Sequence, residues 1–160
     1  MLTASIRALE PADWPLIAAL ETATYAPLGL SEPPAALRSR AGSGTSFVVM
    51  LDGAVAGYLL ALPYPYGRFP DLSASAVTGS SPDLHLHDLN VAVDHRRSGL
   101  GSRLVEQLLT VARERAYARV SLVSLEGTGA FWTRHGFSPR PEVPAPTGYG
   151  PGAIYLSRSL

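Results

Sequence analysis

The stretch Asp94-His95-Arg96-Arg97-Ser98-Gly99-Leu100-Gly101-Ser102 constrains the fold of this chain more than any other. It joins an apolar, strand-like run, Leu84 to Val93, to a strongly helical one, Leu100 to Tyr117. In the helical run Leu100, Leu104, Leu108 and Val111 recur at three- and four-residue spacing, the stripe of a helix packed on a core. A strand that passes through a short glycine turn into such a helix belongs to a layered α/β domain. The turn also leaves the first amides of the helix unpaired, at the positive end of the helix dipole. That is a socket for a phosphate-bearing ligand, with Arg96 and Arg97 adding full charges at its lip.

The remaining segments fit the same layering. Ser5 to Leu9 reads as a strand, and Pro11 to Pro15 starts a helix that ends near Tyr25-Ala26-Pro27. Ser31-Glu32-Pro33-Pro34 reads as a second helix start, with Ser31 or Glu32 near the cap and the helix running out at Gly42. Ser46 to Leu51, Asp52-Gly53 and Ala54 to Leu62 form a hairpin signal, because Asp-Gly suits a type I′ turn. Pro63 to Pro82 holds four prolines and two glycines and reads as a loop, long enough to be functional. Arg119 to Leu125 is strand-like, Gly129 to His135 a short helix with Gly136 as its left-handed cap, and Phe137 begins a further strand. Pro139 to Pro151 is a second proline-rich loop before a last strand, Ala153 to Ser157. The expected architecture is one domain over residues 1–160, a mixed and mostly antiparallel sheet of about seven strands flanked by about four helices.

Composition narrows the function. Thirteen basic and thirteen acidic residues cancel, which argues against nucleic acid as the main partner. Cysteine is absent, so disulfides, thiolate metal sites and a cysteine nucleophile are excluded, and a reducing compartment is favoured. No apolar run reaches the roughly 20 residues of a membrane span. The N-terminal residues lack the pattern of a signal peptide. A cytoplasmic protein without membrane or metal partners is expected.

Two familiar phosphate motifs fail. A Walker loop needs Lys-Ser or Lys-Thr after its last glycine, where Ser102-Arg103 stands. A dinucleotide fingerprint needs a third glycine where Leu104 stands. The pattern present is Arg96-x-x-Gly99-x-Gly101.

That pattern resembles the acyl-CoA-binding motif of the GNAT superfamily of N-acyltransferases, Arg/Gln-x-x-Gly-x-Gly/Ala. Leu89 to Val93 looks like that family's fourth strand and Val120 to Leu125 like its fifth. Phe131-Trp132-Thr133-Arg134-His135-Gly136-Phe137 is similar to its Phe-Tyr-x-x-x-Gly-Phe signature. The resemblance implies acetyl-CoA as cofactor and a primary amine as acceptor, whether of a small molecule, a peptide or a protein, with direct transfer in a ternary complex. It also makes a homodimer an open possibility. The diphosphate of coenzyme A would meet Arg96, Arg97, Ser98, Gly99, Leu100, Gly101 and Ser102. Its pantetheine arm would lie as a pseudo-strand against Val91, Ala92 and Val93, packed by Trp132. A backbone N–H near Val91 would face the thioester oxygen.

An amine nucleophile with a pKa near 10.4 is mostly protonated at neutral pH and needs a base. His87, His85 and Asp88 lie upstream on the fourth strand. Histidine has the pKa for the task. Alternation places His85 and His87 on one face and Asp88 on the other, unless a bulge changes the register. Some relatives that acylate polyamines carry Glu-Asp where this chain has His87-Asp88, so Asp88 is expected to contact the substrate ammonium. One departure matters: Trp132 stands where many members have a tyrosine that protonates the leaving thiolate, and an indole N–H cannot do so. Tyr149, Tyr155 or water would then supply that proton, or the thiolate leaves unaided. The alternatives are a non-catalytic acyl-CoA-binding module, or an acyltransferase that uses another acyl group.

Overall fold

A computed structural model describes residues 3–77 and 79–160. Seven strands form one sheet in the order β1-β2-β3-β4-β5-β7-β6. They are β1 (Ala4–Ala8), β2 (Phe47–Leu51), β3 (Ala54–Pro63), β4 (Asp83–Val91), β5 (Arg119–Ser124), β6 (Ser138–Pro139) and β7 (Ile154–Ser159). All neighbours run antiparallel except β4 and β5, which are parallel. The helices are α1 (Trp14–Tyr25), α2 (Pro34–Ser39), α3 (Leu100–Glu114) and α4 (Gly129–Arg134). The mixed seven-stranded, four-helix architecture read from the sequence is the one observed.

Each face of the sheet has its own core. Leu100, Leu104, Val105, Leu108 and Leu109 of α3 pack with Trp132 of α4 on Leu59, Leu84, Leu86 and Leu122 of the sheet. Ile17 of α1 and Leu37 of α2 pack on Val48, Tyr58 and Leu60 from the other side. The hairpin turn at Asp52 and Gly53 has both residues at positive φ, as a type I′ turn requires.

The second helix differs from expectation. It starts at Pro34 with Pro33 as its cap residue, and neither Ser31 nor Glu32 caps it. Ser31 Oγ and Glu32 N–H instead donate to the buried Glu21 carboxylate at 2.5 and 2.7 Å, which turns the Glu32 side chain toward the sheet. Within the Pro63–Pro82 segment, Gly67 to Ala74 is docked rather than loose. Buried Arg40 donates to the carbonyls of Asp71 and Ala74, Tyr149 donates to that of Pro70, and Gly67 N–H donates to Tyr155 Oη. Among the described residues, no helix is long and apolar enough to cross a membrane.

Candidate active site

The site exists because β4 and β5 stop pairing. They are bonded only over Asp83–His85 and Arg119–Ser121, where the Asp83 carboxylate accepts from Arg119 Nε at 2.9 Å and Ser121 Oγ at 2.8 Å. Beyond that clasp the strands diverge. Ala92 N–H donates to Ala56 O, so alternation along β4 turns the backbone groups of Val91 and Leu89 away from β3 and into the gap.

A bulge on β4 decides which side chains meet. Leu60 of β3 opposes Asp88 while Ala61 opposes Leu86, so His87 is the extra residue. Parity therefore flips at His87. Leu84 and Leu86 before the bulge, and Leu89 and Val91 after it, all pack with the α3 core. Asp88 consequently falls on the α1–α2 face with His85 and His87, and the opposite-face placement expected from plain alternation is corrected.

On that face His87 Nε2 lies 2.9 Å from Glu32 Oε2, and Arg40 Nε donates to Glu32 Oε1 at 2.9 Å. All three side chains are buried. Burial alone would raise the Glu32 carboxyl. The hydrogen bonds and charges of His87 and Arg40 outweigh it and hold Glu32 below its ordinary value. His87 Nδ1 finds no partner among the described residues.

His85 lies behind this pair. Its ring centroid is 6.0 Å from that of His87 and 5.9 Å from that of Tyr64, and it lines neither cavity described below. Burial, with the charges of His87 and Arg40, pushes its imidazole well below the usual histidine value, so it is neutral. Asp88 is committed to two phenols. Tyr25 Oη and Tyr58 Oη each donate to it at 2.7 Å, and burial pushes its carboxyl up to about 6 despite them.

The network continues to the socket. Asn90 Nδ2 donates to Leu20 O and Tyr58 Oη, Thr24 Oγ1 donates to Asn90 Oδ1, and Arg96 Nη2 donates to Thr24 Oγ1. Arg96 Nε donates to Val91 O.

Two cavities adjoin. The larger, about 630 Å³, is lined by Arg96, Arg97, Gly99, Leu100, Gly101 and Ser102 and runs along Asn90 and Val91. Gly99 adopts φ +85°, a left-handed conformation suited to glycine, and its carbonyl receives the Arg103 N–H. The amides of Leu100, Gly101 and Ser102 precede that first helical bond and remain free for a ligand. Three expected contacts are not on this wall. The Ala92 amide is spent on Ala56, Val93 is 72% exposed, and the Ser98 hydroxyl donates to His95 O. The smaller cavity, about 100 Å³, is lined by Glu32, His87, Asp88 and Tyr149 among apolar side chains that include Leu30, Leu72, Leu122 and Val123. Tyr25, Leu89, Leu125, Thr128 and Trp132 border both cavities.

Trp132 has its indole edge-on to Phe131 and Phe137, so it is core and cavity wall at once. Tyr149 borders the smaller cavity but gives its hydroxyl to Pro70 O, and burial raises its phenol. Tyr155 borders neither cavity. Sequence reasoning missed Tyr25 and Tyr58 beside Asp88 and the contact of Glu32 with His87.

An α/β domain whose open strand edge joins a glycine-lined cavity at the start of α3 to a smaller, mainly apolar pocket is the layout of an acyl-CoA-dependent transferase. Comparison with known proteins agrees. The model of the acetyltransferase (GNAT) family matches residues 7–137, and the chain belongs to that family of acetyl-CoA-dependent N-acetyltransferases. The fold is similar to that of Ard1 from Thermoplasma volcanium, with a TM-score of 0.74, 19% identity, and 98% and 97% of the two chains covered. It is similar to the ribosomal-protein-S18-alanine N-acetyltransferase of Escherichia coli, with a TM-score of 0.72 and 20% identity over 98% and 94% of the chains. A GNAT family acetyltransferase from Brucella melitensis in complex with acetyl-CoA superposes with a TM-score of 0.70 and 19% identity over 99% and 88%. Among curated proteins none matches the chain in sequence.

Proposed function

We propose that this acetyltransferase moves the acetyl group of acetyl-CoA directly to a primary amine held in the smaller cavity, with both substrates bound at once. The observation that carries the reading is the junction of the two cavities at Tyr25, Leu89 and Trp132, with the Glu32–His87 pair behind it.

The cofactor fits the residues present. The free amides of Leu100, Gly101 and Ser102, with the charge of Arg97, would hold the diphosphate. The gap-facing backbone of Leu89 and Val91 would take the amides of the arm, and Trp132 would pack on it. Acetyl-CoA, when bound, supplies an activated acetyl thioester. A gap-facing amide of β4, that of Leu89 or Val91, is the donor for negative charge growing on the acyl oxygen.

His87 is the base. Glu32 is an acceptor only, so it takes the Nε2–H and leaves the Nδ1 lone pair to receive the ammonium proton, directly or through one water. Glu32 then stabilises the imidazolium, and Arg40 keeps Glu32 ionised. The apolar walls contributed by Leu30, Leu72 and Val123 also disfavour a charged amine, which lowers its pKa. Asp88 does not serve as the ammonium contact; it holds Tyr25 at the junction.

The test is thiol release from acetyl-CoA with a panel of small amines, amino acids, peptide N-termini and lysine peptides. Turnover with at least one class is expected. Saturable binding of coenzyme A without thiol release for any amine would favour the non-catalytic module instead.

A further inference from the structure

A second chain of polar groups ends in the larger cavity and takes no part in the transfer chemistry. His135 Nε2 lies 3.1 Å from Ser102 Oγ, and His135 Nδ1 lies 3.3 Å from Glu106 Oε1. Ser102 and Glu106 stand one turn apart on α3, and His135 follows the last residue of α4, so one imidazole bridges two turns of the helix that opens at the socket. The ring packs against Phe131 with centroids 4.8 Å apart, and Arg158 Nη1 donates to the His135 carbonyl. The imidazole is therefore fixed in place, and Ser102 is on the cavity wall.

The direction of these bonds follows from donor and acceptor counting. A carboxylate only accepts, so Glu106 selects the tautomer with hydrogen on Nδ1. In the neutral ring Nε2 is then a lone pair, and the Ser102 hydroxyl must donate to it. With its hydrogen committed to Nε2, the hydroxyl can offer a ligand only its oxygen lone pairs. A diphosphate also presents only acceptors, and the two repel. Protonation of the ring reverses the chain: Nε2–H donates to Ser102 Oγ, and the hydroxyl hydrogen becomes free for a phosphate oxygen.

We propose that His135, oriented by Glu106, is a positioning residue that sets the direction of the Ser102 hydroxyl and so couples uptake of one proton to diphosphate binding. The inference rests on the socket described above and adds a property to it. The ligand class is a diphosphate diester. Glu106 is the carboxylate that favours the imidazolium. Arg158 of β7 and Arg134 of α4 oppose it, and Arg97, Glu126 and His95 are the other charged or titratable groups on this stretch of the cavity wall. Binding is tightest at the acid end and weakens as pH rises.

The experiment is calorimetric titration of the full chain with 3′-dephospho-coenzyme A, whose diphosphate diester does not titrate near neutrality. It is run from about pH 5.5 to about pH 8.5 in buffers of different ionisation enthalpy. Affinity is expected to be about tenfold higher at the acid end, the value of one hydrogen bond to a charged acceptor, with net proton uptake. Ser102→Ala should give weak, pH-independent binding. His135→Gln, whose amide N–H can donate to Ser102 at every pH, should give tight binding with the slope removed. His95→Gln should keep the slope. A flat wild-type profile, or a slope that survives in Ser102→Ala, overturns the coupling while leaving the socket intact. No saturable binding at any pH overturns the socket and the coupling together.

Discussion

Arg96 Nε donates to the carbonyl oxygen of Val91 at 2.9 Å. Val91 belongs to the open edge of β4, where a backbone acceptor would otherwise be left unpaired. The same guanidinium reaches Thr24 of α1 through Nη2 at 3.0 Å. One side chain thus ties the socket loop, the open strand and the first helix together. Arg96→Ala should lower coenzyme A affinity by about tenfold, the scale of one charge-assisted bond. The helical signal should be retained, and calorimetry alongside circular dichroism checks both.

The proposed role of the Glu32–His87 pair predicts a separation of chemistry from binding. His87→Ala and Glu32→Gln should each lower kcat by about 10²- to 10⁴-fold, the range of a positioned base. Coenzyme A affinity should change little, because neither residue borders the larger cavity. Steady-state thiol release measured beside calorimetric affinity tests this, and normal turnover of His87→Ala across pH would remove it as base.

Asp88 makes a prediction about stability. Its carboxyl is raised from 3.8 to about 6 by burial. The folded state therefore holds a proton that the unfolded chain releases, so the contribution is favourable below about pH 4 and is lost as pH rises to about 6. The loss is on the order of 3 kcal/mol. His85 acts oppositely, because its depressed imidazole makes the folded state less stable as pH falls below about 6.5. The informative quantity is thus the difference between wild type and Asp88→Asn. That difference should change by a few kcal/mol between pH 4 and 7 in thermal or denaturant unfolding, and a constant difference would contradict the assignment.

The two socket glycines should respond differently. At Gly101 an added Cβ would lie 3.7 Å from Phe131, an ordinary contact, so Gly101→Glu should fold and yet abolish coenzyme A binding by filling and repelling the socket. At Gly99 an added Cβ meets nothing, but φ is +85°. Gly99→Ala should cost roughly 1–2 kcal/mol of stability through backbone strain. Melting curves and calorimetry on the two variants separate the effects.

Much of this was legible from local pattern. The α3 stripe and the Asp52-Gly53 turn are short-range signals, and each occurs where the residues pointed. The bulge at His87 is not short-range. It is defined by how β4 pairs with Leu60 and Ala61, far away in sequence, so the face of Asp88 could not be read from alternation. Glu32 carried a plausible local role as a helix cap, which concealed its long-range contact with His87. Tyr25 and Tyr58 gave no pattern, since their hydroxyls become meaningful only when Asp88 lies between them.

The most direct measurement is a crystal structure of the chain with coenzyme A. The account predicts the diphosphate within hydrogen-bond reach of the amides of Leu100 to Ser102. It also predicts the thiol end between Tyr25 and Trp132, facing the Glu32–His87 pair. A ligand seated elsewhere, or a thiol directed away from His87, would contradict it.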